Sequence, residues 1–269
     1  MLKTRLIACI ITKNDLVVQS FGFNRYLPIG NIKTAIEFFV NWDVDEIVII
    51  DIEASRQKRP PNVELVSWAA KECFVPLTVG GGIKTLEHIQ RLLKAGADKV
   101  CINSVVRDNL AFLTDASSAF GNQCITASVD VSKTNGSYGV YDYLSRRITG
   151  AQLPKHIKEI EESGAGEILL NSVDRDGSRQ GYDIQLLKLV SSNVTIPVIS
   201  LGGVGRFEHL AEAILEGGCQ AAAAANIFQH IEHSTVAAKA QMLRSGLSVR
   251  LSSEIKYEDF SFDILGRPF

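Results

Sequence analysis

The 269-residue chain has no charge imbalance to exploit. Its 28 basic side chains meet 30 acidic ones for a net charge of -2, so the electrostatic footprint of a nucleic-acid or anionic-membrane partner is missing. Long apolar runs are missing too, and none could span a bilayer. The opening MLKTRLIACIITKND puts a basic residue before a short apolar run, but that run stops at Lys13 without a small-residue cleavage site, and it reads as a first strand rather than a secretory signal. Cysteine is scarce: Cys9, Cys73, Cys101, Cys124 and Cys219 are odd in number, never approach a CxxC spacing and lie mostly in predicted strands. Buried thiols in a reducing, cytoplasmic setting are the expectation. The five histidines (His88, His156, His209, His230 and His233) are scattered, four of them on predicted helices, with no Asp or Cys cluster to complete a ligand set. No metal and no cofactor is expected.

What the chain does have is an echo of itself. GGIKTLEHIQRLLKAG from Gly81 returns as GGVGRFEHLAEAILEG from Gly202, at an offset of 121 residues. DEIVIID at Asp45 matches GEILLNS at Gly166 at the same offset, and RLIACIIT near the start resembles CITASVDV at Cys124. Short apolar runs without alternation, each bounded by charge or glycine, are the mark of strands buried on both faces. Eight are expected: Arg5 to Thr12, Glu46 to Asp51, Leu77 to Val79, Lys99 to Asn103, Cys124 to Val131, Glu167 to Asn171, Val198 to Leu201 and Ala221 to Ala225. Amphipathic segments such as IKTAIEFFVNW, TLEHIQRLLKAG and IQLLKLVSS lie between them, several closed by glycine. Strand-then-helix units in this number predict an α/β fold, a TIM (β/α)8 barrel with a two-fold half-barrel repeat, as one domain over residues 1–250. TNGSYGVYDYLSRR reads as a hairpin excursion turning at Asn135-Gly136. The remaining tail, 251–269, carries Tyr257, Phe260, Phe262 and Phe269 and either packs on the barrel or docks a partner.

In such a barrel the reactive face lies at the C-terminal ends of the strands. Glycines there permit close backbone approach, and a helix starting just afterwards aims free N–H groups at an anion without needing a basic surface. Duplication then predicts two phosphate cradles on opposite sides of the mouth, one from Gly82, Asn103 and Ser104, the other from Gly177, Gly203 and Asn226, for a phosphorylated small molecule with an anion at each end. Tight turns alone are the plain alternative for any one glycine. Proton transfer needs a carboxylate at the mouth, and Asp130 at the end of the fifth strand is placed for it. Aligning ACIIT with ASVDV puts Ile11 at the equivalent first-half position, which cannot move a proton. Asp15, in a turn, is a weak substitute; Asp51 and Asp176 are further mouth carboxylates that could simply order loops. At the opposite face, Arg5, Glu46, Lys99 and Glu167 each open a strand, and converging they would form a neutral charged ring closing the barrel floor, a polar constriction for a small uncharged molecule.

With the repeat, the TVGGGI and SLGGVG turns, LLNSVDRDGSRQGYD and LIACIITKND in view, the chain resembles the cyclase subunit of imidazole glycerol phosphate synthase, roughly from Met1 to Leu251. The resemblance implies a barrel that binds a bis-phosphorylated ribonucleotide, receives ammonia from a glutaminase subunit docked under it, and cleaves and cyclises its ligand. It also implies phosphate contacts at Gly82, Asn103, Ser104, Gly177, Gly203 and Asn226, an ammonia gate at Arg5, Glu46, Lys99 and Glu167, and a glutaminase-facing Asp98. This chain departs from that pattern where Ile11 replaces one of two catalytic aspartates, Asp130 being the other with Asp176 in support, and where Gln19 and Ser20 replace a lysine and glycine of the first loop. Two expectations follow. One is a diverged subunit that still takes ammonia from a glutaminase and passes it on, through a downstream amidotransferase, to amidinate a surface sugar. The other is a working histidine-pathway cyclase.

Overall fold

The computed structural model describes residues 3–229 and 233–262. Twelve strands form its sheet: β1 (Arg5–Lys13), β2 (Leu16–Phe21), β3 (Arg25–Asn31), β4 (Glu46–Asp51), β5 (Leu77–Gly80), β6 (Lys99–Ile102), β7 (Ile125–Thr134), β8 (Ser137–Asp142), β9 (Arg147–Gln152), β10 (Glu167–Ser172), β11 (Val198–Leu201) and β12 (Ala221–Ala224). Eight of them pair in parallel in the order β1, β4, β5, β6, β7, β10, β11, β12, and β12 pairs back onto β1. The sheet is a closed parallel barrel with helices between its strands, a TIM (β/α)8 barrel. The eight expected strands are these eight. Their ends shift by one to three residues: Cys124 belongs to a single turn of 3-10 helix, β7 runs on to Thr134, and Asn103 precedes a short helix instead of ending β6.

The other four strands are two antiparallel hairpins, β2–β3 growing out of β1 and β8–β9 growing out of β7. Each follows the first strand of its half, so the duplication extends to them. The turn at Asn135-Gly136 takes positive φ at both residues, 50° and 81°, as a two-residue hairpin demands. Asn14 and Asp15 do the same at 50° and 62° before β2. Asp15 is therefore fixed in an exposed turn.

Side chains alternate along the barrel strands. Ile7, Cys9, Val48, Cys101, Leu169, Ile199, Leu201, Ala221 and Ala223 fill the interior, with Ile11, Ile50 and Ala225 above them. The intervening residues, such as Leu6, Ala8 and Ile10, pack outward into the larger layer between strands and helices. The helix over Leu86–Lys94 shows why the sequence forms that layer: Thr85 caps it by accepting the His88 N–H, Glu87 lies in its first turn, Arg91 and Lys94 in its last, and Ile89 and Leu92 are buried. Beyond the helix Ser234–Arg244, the segment to residue 262 lies against the barrel: Thr4 bridges to Val249, Tyr257 is 5% exposed, and the Phe262 ring meets Phe207 edge-on with centroids 6.4 Å apart. Phe269 and His230 lie outside the described residues.

Candidate functional site

The C-terminal ends of the strands surround a cavity of about 360 Å³ lined by Cys9, Ile11, Ile50, Gly82, Asn103, Ser104, Asp130 and Asn171 among others. Its walls differ by half. Ile11 and Ile50 face each other in register on β1 and β4, while Asp130 and Asn171 hold the matching register on β7 and β10. One wall is apolar and the other can bond and titrate. Asp130, 5% exposed, accepts a hydrogen bond from Asn103 Nδ2 at 2.7 Å. Burial raises its pKa to about 7, the Asn103 hydrogen bond opposes the shift, and nearby Asp176 adds to it. A carboxyl at that value is poised to give or take a proton near neutrality.

Asp176 is also raised, by burial first, against the hydrogen bonds it accepts from Ser20 and from the N–H groups of Phe23 and Gly22. Ser20 Oγ donates to its Oδ2 at 2.6 Å. Asp176 thus ties the β2–β3 hairpin to the mouth. Asp51 orders its own loop, accepting from the Glu53 and Ala54 N–H groups at 3.0 and 3.2 Å, and pairs with Arg59 at 2.7 Å.

The six residues expected at the phosphate cradles gather in two places. Gly82, Asn103 and Ser104 line the main cavity; Gly177, Gly203 and Asn226 line a second, smaller one with Asn171 and Asp176. Two details differ from expectation. The helices after the glycine turns do not start at once: Thr85 and Phe207 precede Leu86 and Glu208, four or five residues past Gly82 and Gly203. Nor do the two asparagines hold their amides free. Asn103 points at Asp130, and Asn226 grips the backbone of Ser20, donating to its oxygen at 2.8 Å and accepting from its nitrogen at 3.3 Å. Tight packing also accounts for glycine here. At Gly82, with φ of 72°, a Cβ would sit 2.5 Å from Arg59 O, and at Gly177, with φ of 70°, 2.6 Å from Ser20 O.

Sequence reading missed the jobs of His88 and His209. His88 Nδ1 accepts from the Lys84 N–H at 3.3 Å, and His209 Nδ1 from the Gly205 N–H at 3.1 Å. The repeated histidine buckles each glycine turn to the helix that follows it. Asn171 was also missed as a mouth residue; it is 7% exposed, and its Oδ1 has no partner. Its place two residues before Val173, at the end of a run otherwise apolar, was the available signal.

At the floor the four charges converge. Arg5 meets Glu46 at 2.8 Å and Glu167 at 2.6 Å; Lys99 meets Glu46 at 3.3 Å and Glu167 at 2.8 Å. Each cation bridges both anions, closing a ring of alternating sign. Thr78 Oγ1 adds a hydrogen bond of 2.9 Å to Glu46, whose side chain is 2% exposed. Burial works against the charge on Arg5, but Glu167 and Glu46 outweigh it and hold its pKa above the usual value. Above the ring comes the apolar interior of Ile7, Val48, Leu169 and Ala221. Asp98 lies beside this floor, exposed, with Oδ2 accepting the Leu77 N–H at 2.8 Å. Asp45 and Gln220 do the same for Leu6 and Val198. A polar residue just before one strand holds an N–H at the start of its neighbour.

No helix among the described residues is long and apolar enough to cross a membrane. The histidine biosynthesis protein family matches residues 5–234. A Vibrio vulnificus protein named as a hisF2-type imidazole glycerol phosphate synthase subunit is 66% identical over 269 residues, covering 100% of this chain and 99% of its own. The imidazole glycerol phosphate synthase subunit HisF of Hyphomonas neptunium is 41% identical over 250 residues, 93% of this chain and 99% of its own. A second hisF2-type subunit, from Campylobacter jejuni, is 40% identical over 255 residues, 93% of this chain and 100% of its own. With the fold, the repeat and these matches together, the chain belongs to the histidine biosynthesis protein family and is a barrel like the cyclase subunit of imidazole glycerol phosphate synthase.

Proposed function

We propose that this protein is the ammonia-accepting barrel of a glutamine amidotransferase complex, drawing ammonia from a glutaminase subunit at its floor and delivering it to an acceptor at its mouth. The observation that carries the reading is the closed ring of Arg5, Glu46, Lys99 and Glu167 below an apolar interior. Four charges that neutralise one another obstruct ions and water while leaving no net field against a neutral molecule, and they can part only as a set. Asp98, exposed at the same face, supports the docking of a partner there.

At the mouth, a phosphorylated ligand is bound by the backbone around Gly82 and Ser104 at one end and around Gly177 and Gly203 at the other. Asp130 is the acid or base, positioned by Asn103. Ile11 supplies no second proton-transfer group, and losing one typically costs ~10²–10⁴-fold in rate. Ring closure is accordingly the weakened step, and delivery of ammonia for amidination of a surface sugar the retained one. The second reading, a working cyclase of histidine biosynthesis, is favoured by one specific observation: Asp130 at about 7 could serve as acid and base in turn.

The deciding assay supplies the purified barrel with ammonia and the bis-phosphorylated ribonucleotide of the family. No imidazole product is expected, and appreciable turnover restores the cyclase reading. In parallel, a glutaminase should co-purify with the barrel and hydrolyse glutamine faster in its presence; failure of both removes the conduit.

A further inference from the structure

Lys239, on the helix Ser234–Arg244, is 0% exposed. A buried ammonium persists only when fully partnered. Its Nζ meets Asp45 Oδ1 at 2.7 Å and Asp43 Oδ2 at 3.0 Å. Both partners lead somewhere. Asp45 is joined to Leu6 twice, its Oδ2 accepting the Leu6 N–H at 2.8 Å and its own N–H donating to Leu6 O at 3.0 Å. Leu6 follows Arg5, and Asp45 precedes Glu46, so this link fixes the two strand starts from which the first ion pair of the floor ring projects. On the other side, the Tyr257 hydroxyl donates to Asp43 Oδ2 and accepts the Ser252 N–H. Asp43 is held there with φ of 58°, in the left-handed region. The chain beyond the last barrel helix is anchored to the same strand start, Thr4 N–H donating to Ser248 O at 2.8 Å.

We propose that the segment after Val249 is a brace for the floor ring: Tyr257, acting through Asp43, Lys239 and Asp45, is a positioning residue for Arg5 and Glu46. Every strand of the duplicated barrel ends before residue 250, so the segment that carries Tyr257 lies outside the repeat. The brace makes the ring answer to the tail: a partner that contacts or shifts residues 251–262 changes how firmly Arg5 and Glu46 are held. Its role as part of a conduit rests on the function proposed above, but the mechanical coupling does not.

Substituting Lys239 would leave two carboxylates buried without their cation and could unfold the chain. The informative variant is Tyr257→Phe, which removes one hydroxyl and keeps the ring packed. Amide exchange at Leu6 and guanidinium N–H exchange at Arg5 are followed by NMR, with the Arg107 guanidinium, paired to Asp142 at the far end of the barrel, as internal reference. Losing one net hydrogen bond of the brace should speed exchange at Leu6 and Arg5 roughly fivefold and leave Arg107 unchanged. Phe262→Leu, which trims the tail's contact with Phe207 and leaves every hydrogen bond of the brace in place, should leave all three unchanged. Unaltered exchange at Leu6 and Arg5 in Tyr257→Phe overturns the proposal, as does a rise shared equally by Arg107 or reproduced by Phe262→Leu. A barrel that recruits no glutaminase yet shows the selective rise would refute the conduit and keep the brace.

Discussion

Asp130→Asn should make the protein more stable at neutral pH than the wild type, and by an amount that depends on pH. The carboxyl is 5% exposed, and its pKa is raised from the usual 3.8 to about 7, chiefly by burial. The folded chain therefore holds the proton more tightly than the unfolded chain does. That contribution to stability is full below 3.8, declines as pH rises, and is gone once pH passes about 7. At 1.36 kcal/mol per pH unit the span from 3.8 to about 7 corresponds to roughly 4 kcal/mol, an order-of-magnitude ceiling. An asparagine of the same shape can still accept from Asn103 Nδ2 and has no charge to desolvate. Urea unfolding of both proteins from about pH 5 to about pH 8 would give a stability difference that grows in favour of the variant and levels off near neutrality. Asp45 and Asp176, also raised, titrate in both proteins and largely cancel in the difference. A flat difference across that range, or one growing in favour of the wild type, would refute the reasoning and with it the claim that Asp130 exchanges protons near neutrality.

Glu46→Gln should cost about 1–3 kcal/mol, measured by denaturant unfolding, because it leaves Arg5 and Lys99 to share Glu167 while Thr78 keeps its acceptor; a neutral effect would show that the ring contributes no net electrostatic stability. Ser20→Gly removes the 2.6 Å hydrogen bond to Asp176 and should raise amide exchange across β2 and β3 several-fold, leaving the eight barrel strands unaffected. Ile11→Asp puts a carboxylate back on the apolar wall; if its absence is what weakens ring closure, imidazole formation should rise by ~10²-fold or more over the parent, and an unchanged rate would place the defect elsewhere in the mouth.

The barrel was legible because its signals are long and repeated. Unalternating runs such as EIVIID and EILLNS, too short for buried helices, read as strands buried on both faces, and the offset of 121 residues identifies their partners. The floor ring was legible in part: four charges open four such runs, but only the closed sheet shows that their side chains turn inward and meet. The side-chain connections that cross the barrel were not. Asn226 and Ser20 lie 206 residues apart in sequence, and Lys239 and Asp45 lie 194 apart. No local pattern couples such positions, and a lysine on a helix reads as a solvated residue until the fold shows it enclosed. Asn103 and Asn226 were read as donors to a ligand from position alone, whereas the direction of an amide is decided by whichever neighbour lies nearest.

The two halves descend from one pattern yet have divided its chemistry. At the floor they contribute jointly, Arg5, Glu46 and Lys99 from the first half and Glu167 from the second, so the ring needs both to balance its charge. At the mouth they have parted: Ile11 and Ile50 stand where the second half has Asp130 and Asn171. The mouth thus sets the aliphatic carbon of Ile11 and Ile50 on the β1–β4 side against the raised carboxyl of Asp130 on the β7–β10 side. Reactions that need proton donation and removal on opposite faces are thereby disfavoured relative to addition of a neutral nucleophile, which one well-placed group can serve. Under the function proposed above, the floor keeps the charges that would admit such a nucleophile, and Asp130 at the mouth is placed to serve its addition.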